Sequence, residues 1–174
     1  DCRSCVGGRR SARIIADALS TSDKRYMLEM EGVNAYGIWD YSDWNALADQ
    51  LKKGYDYGKQ RCTAYVRFVV ERRLFPQFLE TYTEAVRNLK VGNPTLVDNA
   101  GDKLPDLAFG PVINAAQARD LDRLYADALK TGATPIYEGK FDDSLFLPGQ
   151  DRSAYAMPRA LVNLPRQSEL YFKE

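Results

Sequence analysis

Apolar residues recur three and four positions apart in several stretches of this chain, and each such stretch predicts a helix. In residues 8–20, Ile14, Ile15, Ala18 and Leu19 fall on one side of a helical projection, and Arg9, Arg10, Arg13 and Asp17 fall on the other. The polar stretch 20–23 ends that helix. Residues 43–53 predict a second helix, with Ser42 or Asp43 as N-cap. In a third, Leu74, Phe78, Leu79, Tyr82, Ala85, Val86 and Leu89 share one face, and Val91-Gly92-Asn93-Pro94 supplies a stop. A fourth covers 114–131, with Ala118, Leu121, Leu124, Tyr125 and Leu129 at helical intervals and Gly132 as the C-terminal residue.

Between these lie short segments rich in β-branched and aromatic residues. Residues 25–30 and 34–39 read as strands separated at Glu31-Gly32, and 63–71, rich in Val, Phe and Tyr, reads as a buried strand. Residues 134–137 predict a further strand, and Pro158 confines the apolar stretch 155–164 to an edge or bend. The glycine-punctuated 54–61 and the Pro- and Gly-rich 93–112 read as loops. Helices alternating with apolar strands give an α/β class with a partly parallel sheet. The elements open in the order helix, strand, strand, helix.

Composition narrows the range of functions. A chain of 174 residues, 45% hydrophobic, buries a core. Lys plus Arg and Asp plus Glu are balanced at 24 each, so no net field draws nucleic acid or an anionic membrane surface. No run of about 18 apolar residues spans a bilayer, and no export signal opens the chain. A soluble, unexported protein is expected, and the ends at Asp1 and Glu174 suggest a fragment of a larger enzyme. Three cysteines, Cys2, Cys5 and Cys62, suit a reducing compartment better than a disulfide framework.

Histidine is absent, so within this segment there is no imidazole base or imidazole metal ligand. Any base is a carboxylate, Lys or Tyr. Cys62, between a glycine-containing loop and a strand, stands where a nucleophile is held rigidly yet remains reachable. Arg61 and Lys59 are near enough in sequence to favour its thiolate. Position alone favours a buried small hydrophobe, the commoner role of a free cysteine. Glu29 ends a strand of largely apolar residues, where partial desolvation raises a carboxylate toward general-base range, and Glu31 follows two residues later. The Cys2/Cys5 pair lacks the second pair or histidine that would complete a zinc site, so no metal site is expected. Gly7-Gly8, opening a helix, offers backbone N–H groups to a phosphate.

Taken together, these residues resemble the aldehyde dehydrogenase superfamily. Leu28-Glu29-Met30-Glu31-Gly32-Val33-Asn34-Ala35 is similar to the family's glutamate signature, L-E-L-G-G-K-N-P. Lys59-Gln60-Arg61-Cys62-Thr63-Ala64 is similar to its cysteine signature, G-Q-x-C-T-A, and the two are separated as in the family. Ser4-Cys5-Val6-Gly7-Gly8-Arg9-Arg10 resembles its S-T-x-x-G-R-x helix start, Leu89-Lys90-Val91-Gly92-Asn93-Pro94 its L-K-V-G-x-P, and Phe109-Gly110-Pro111-Val112-Ile113 its M-G-P-L-I.

The resemblance implies an aldehyde dehydrogenase-like α/β catalytic-domain fragment, with 1–30 ending the cofactor-binding portion and 31–174 in the catalytic domain. It implies a cytoplasmic enzyme, a homodimer or homotetramer, that oxidises a small aldehyde with NAD or NADP, and a fragment inactive by itself. Cys62 would be the nucleophile and Glu29 the base, while Ser4, Met30 and Glu174 would contact the cofactor. CoA acylation and an inactive structural relative are the alternatives. Glu31, Ala35, Lys59 and Arg3 depart from the family's pattern; Glu31, Lys59 and Arg3 stand where it keeps glycine.

Overall fold

The structure, a computed structural model, describes residues 2–173. It opens with a strand, β1 (Cys2–Gly7), followed by helix α1 (Arg9–Leu19) and strand β2 (Arg25–Met30). β1 and β2 pair in parallel, with Ser4 opposite Met27 and Val6 opposite Glu29. The opening order is therefore strand, helix, strand rather than helix first. The periodicity of 2–7 is weak, since Val6 is its only large apolar residue. Pairing with β2, a long-range interaction, makes it a strand.

The second unit repeats this arrangement. Strand β3 (Asn34–Ile38), helix α2 (Trp44–Lys53) and strand β4 (Tyr65–Val70) form a parallel pair with its crossover helix. The Asp43 side chain caps α2 by accepting from the Ala46 N–H at 3.0 Å, and Lys52 and Lys53 complement the negative end of its dipole. Helix α3 (Phe75–Arg87) starts with Pro76 in its first turn and ends four residues before Val91, earlier than its apolar periodicity predicts. Helix α4 (Ala115–Lys130) is capped by Asn114, whose side chain accepts from the Gln117 N–H at 2.9 Å. Strands β5 (Thr134–Glu138) and β6 (Arg159–Val162) pair antiparallel, β6 starting directly after Pro158.

The core forms where α2 and α3 meet the β3–β4 pair. Ile38, Leu47, Leu51, Tyr55, Phe78, Tyr82, Ala85 and Val86 are buried together. Full burial of each large apolar side chain contributes about 1.5–3 kcal/mol, which makes this cluster the anchor of the β3–α2–β4–α3 unit. Inside it the Tyr55 and Tyr82 hydroxyls share a hydrogen bond of 2.6 Å. β4 is half-buried rather than sealed, with Val69 56% exposed, because its sheet has two strands and only one flank is covered by α2 and α3. The β1–β2 pair is barer still, leaving Val6, Met27 and Met30 exposed. Among the described residues, no helix is long and apolar enough to cross a membrane.

Candidate active site

Cys62 lies in the turn that leads into β4, and its side chain is exposed. The turn is closed by Arg61 N–H to the Lys59 carbonyl at 2.8 Å and Ala64 N–H to the Arg61 carbonyl at 2.9 Å, while Ala64 is fully buried beneath it. A reachable thiol on an anchored turn favours the nucleophile over the small buried hydrophobe.

The link between β2 and β3 holds this turn from the other side. The Asn34 side-chain amide donates to the Cys62 carbonyl at 2.5 Å and to the Ala64 carbonyl at 3.1 Å. Gly32 approaches so closely that a Cβ there would stand 2.0 Å from the Cys62 carbonyl oxygen. Only glycine fits at that contact. Gly32 and Cys62, about thirty residues apart in sequence, thus meet through backbone. Asn34 is a positioning residue that sequence reasoning quoted without a role; its signal was the asparagine two residues after the second glycine position of the glutamate motif.

Glu29 is the penultimate residue of β2. Its side chain is exposed, with no hydrogen-bond or ion-pair partner for its carboxylate among the described residues. The apolar neighbours expected to cover it do not: Tyr26, Met27 and Met30 are themselves exposed, and among the described residues β2 pairs on one edge only, with β1. No hydrogen bond joins Glu29 to Cys62; Gly32, three residues beyond Glu29, makes the approach.

Glu31 does not face Glu29. Its carboxylate accepts from the Arg9 backbone N–H at 3.1 Å and stands 3.7 Å from the Arg9 guanidinium, at the N-terminus of α1. Positive charge and unpaired N–H groups there outcompete a like-charged neighbour. Lys59 and Arg61 are likewise engaged away from the thiol. Arg61 donates to the Asp56 carbonyl at 2.6 Å and lies over the Tyr57 ring. The Lys59 amine donates to the Tyr65 carbonyl at 2.9 Å, between the rings of Tyr55 and Tyr65, and burial, aided by Arg61, lowers its pKa to about 8.

The residues read as cofactor contacts are dispersed. Ser4 lies within β1 rather than at the helix start, Met30 is exposed at the end of β2, and Glu174 lies outside the described residues. Gly8 caps α1 without a side-chain bond, and the first turn leaves the N–H groups of Arg10 and Ser11 without helical carbonyls. Those donors suit a dinucleotide phosphate, although Glu31 already uses the one at Arg9. Cys5 is a half-buried free thiol, and no group of three or more potential ligands among the described residues is arranged to hold a metal.

An open groove of about 670 Å³ runs between the turn at 56–60 and the loop at 108–111, lined by Asp56, Tyr57, Gln60, Pro94 and Phe109 among others. Cys62 follows Gln60 by two residues and does not itself line it.

The chain as a whole is matched by known proteins. The family model described as the aldehyde dehydrogenase family covers residues 1–174. The chain belongs to the aldehyde dehydrogenase family. It is 27% identical over 146 residues to a benzaldehyde dehydrogenase of Bacillus subtilis, an alignment covering 83% of this chain and 28% of that protein. A lactaldehyde dehydrogenase from Escherichia coli superposes with a TM-score of 0.80 at 21% identity, over 97% of this chain and 33% of that one, and shares its fold. A succinic semialdehyde dehydrogenase from Streptococcus pyogenes, solved in complex with NADP+, superposes with a TM-score of 0.76 at 26% identity, over 98% of this chain and 34% of its own. This aldehyde dehydrogenase segment thus spans about a third or less of the length of these relatives.

Proposed function

We propose that the enzyme to which this chain contributes oxidises an aldehyde to a carboxylic acid with NAD or NADP, using Cys62 as nucleophile and Glu29 as base. The observation that carries this reading is the exposed Cys62 turn, tied through Asn34 and Gly32 to the segment that begins with Glu29. The Cys62 thiolate adds to the aldehyde carbonyl carbon, forming a C–S bond and an alkoxide. A nicotinamide dinucleotide, held by the β1–α1–β2 portion, would supply the acceptor for the hydride that leaves that carbon. A thioester on Cys62 is left, and Glu29 takes a proton from water so that hydroxide displaces the sulfur, giving the acid and regenerating the thiolate. Asn34 holds the Cys62 carbonyl, and with it the backbone from which the thiol projects. β1, α1 and β2 would form the edge of the cofactor-binding portion, 1–30, and 31–174 would belong to the catalytic domain. The assembled enzyme would be a homodimer or homotetramer.

In the full chain, Cys62→Ala abolishes turnover, and Glu29→Gln leaves a first burst of reduced dinucleotide while slowing thioester hydrolysis. Unchanged steady-state turnover in Glu29→Gln would assign the base elsewhere, and residual turnover in Cys62→Ala would exclude covalent catalysis at that residue.

A further inference from the structure

Lys59 is the departure from the family pattern with the most developed surroundings. Three consecutive residues, Tyr57, Gly58 and Lys59, have φ near +60°, a left-handed conformation that glycine adopts freely and a lysine does not. Strain of that kind persists where other contacts over-determine it. Here those contacts are specific: the Lys59 amine stands 4.4 Å from the Tyr55 ring centroid and 4.8 Å from that of Tyr65, and donates to the Tyr65 carbonyl at 2.9 Å. That bond joins residue 59 to residue 65 and so closes the segment 60–64, with Cys62 at its middle. Its anchors are themselves fixed, the Tyr65 hydroxyl to the Gln50 carbonyl at 2.5 Å and the Tyr55 hydroxyl to that of Tyr82 at 2.6 Å.

We propose that Lys59 is a positioning residue for Cys62, its side chain acting as a clamp that closes the turn from residue 59 to residue 65 and holds the thiol in place. The proposal rests on the reading of Cys62 as the nucleophile. A glycine at this position would relieve the backbone but leave the turn unclamped, so relief of strain and order of the thiol pull in opposite directions.

The clamp has a pH signature with a definite sign. Its amine donates to the Tyr65 carbonyl whether neutral or charged, but burial disfavours the cation and holds its pKa down to about 8. The groups facing it are Tyr55, Tyr65 and Arg61, with Tyr36, Tyr82 and Asp56 behind them. None of these is a carboxylate paired with the amine, so the amine seats more firmly as it loses its proton.

The test is amide hydrogen exchange over residues 60–66 of the full chain at pH 7 and pH 10, corrected for intrinsic exchange, in the parent, Lys59→Gly and Lys59→Ala. Protection in the parent is expected to rise about ten-fold from pH 7 to pH 10, because desolvation disfavours the seated cation by more than the carbonyl and the two rings favour it. Both variants should be less protected at either pH and lack the rise, with α2 and α3 unchanged. A flat parent profile, or a Lys59→Gly profile superimposable on the parent's, would overturn the proposal. Exchange is read without turnover, so residual turnover in Cys62→Ala would remove the nucleophile while leaving the clamp standing.

Discussion

Gly32→Ala is the substitution whose consequence follows most directly from the geometry. A Cβ at residue 32 would stand 2.0 Å from the Cys62 carbonyl oxygen, 2.8 Å from the Asn34 amide nitrogen and 3.1 Å from the Cys62 carbonyl carbon. Ordinary non-bonded contact begins at about 3.5 Å, so one backbone must retreat by about 1 Å or more. The nearest obstacle is main chain, which cannot rotate aside as a flexible side chain would. Overpacking of this kind costs about 1–3 kcal/mol. Movement also breaks the two Asn34 hydrogen bonds that fix the turn, and a misplacement of about 1 Å at a reacting group costs about a hundred-fold in rate. In the full-length enzyme, Gly32→Ala should therefore lower kcat/KM about a hundred-fold, with a lowered denaturation midpoint and an altered rate of Cys62 alkylation by iodoacetamide, read by peptide mass spectrometry. Parental turnover together with a parental alkylation rate would refute the claim that this contact positions the thiol.

Asn34→Ala should destabilise the Cys62 turn by about 1–3 kcal/mol by leaving two carbonyls without their donor, and Asn34→Asp should be worse because an acceptor would face both; exchange over residues 60–66 reads this. Tyr82→Phe leaves the buried Tyr55 hydroxyl without its partner and should cost about 1–3 kcal/mol in denaturant titration, while the Tyr55→Phe, Tyr82→Phe double variant should recover part of that loss. For Lys59 the folded pKa, about 8, lies below the ordinary lysine value of 10.5, so between the two the unfolded chain binds more protons and stability rises with pH. The rise should be on the order of 2 kcal/mol once the attraction of the two tyrosine faces for the cation is set against it, and Lys59→Met should lack it in denaturant titrations at pH 7 and pH 10.

The helices and most strands were legible without the fold because their signals are local. Asp43 and Asn114 cap helices that an apolar stripe already marks, and Pro158 places the start of β6 within its own stretch. The two signatures around Glu29 and Cys62 were legible for a related reason: each resembles a family pattern along one continuous stretch of chain. What required the tertiary structure was every relation between distant segments. β1 is a strand because β2 lies beside it, and Glu29 and Met30 are exposed because no strand among the described residues pairs with the far edge of β2. Glu31 turns to the start of α1 rather than to Glu29 because unpaired N–H groups and a guanidinium lie within its reach there, a proximity that only folding creates. The same holds for Gly32 against the Cys62 carbonyl and for Lys59 between two tyrosines. A residue's periodicity records which side of its own element is apolar, whereas its partner across the fold depends on how whole elements pack, and that free energy is not contained in any one stretch of the chain.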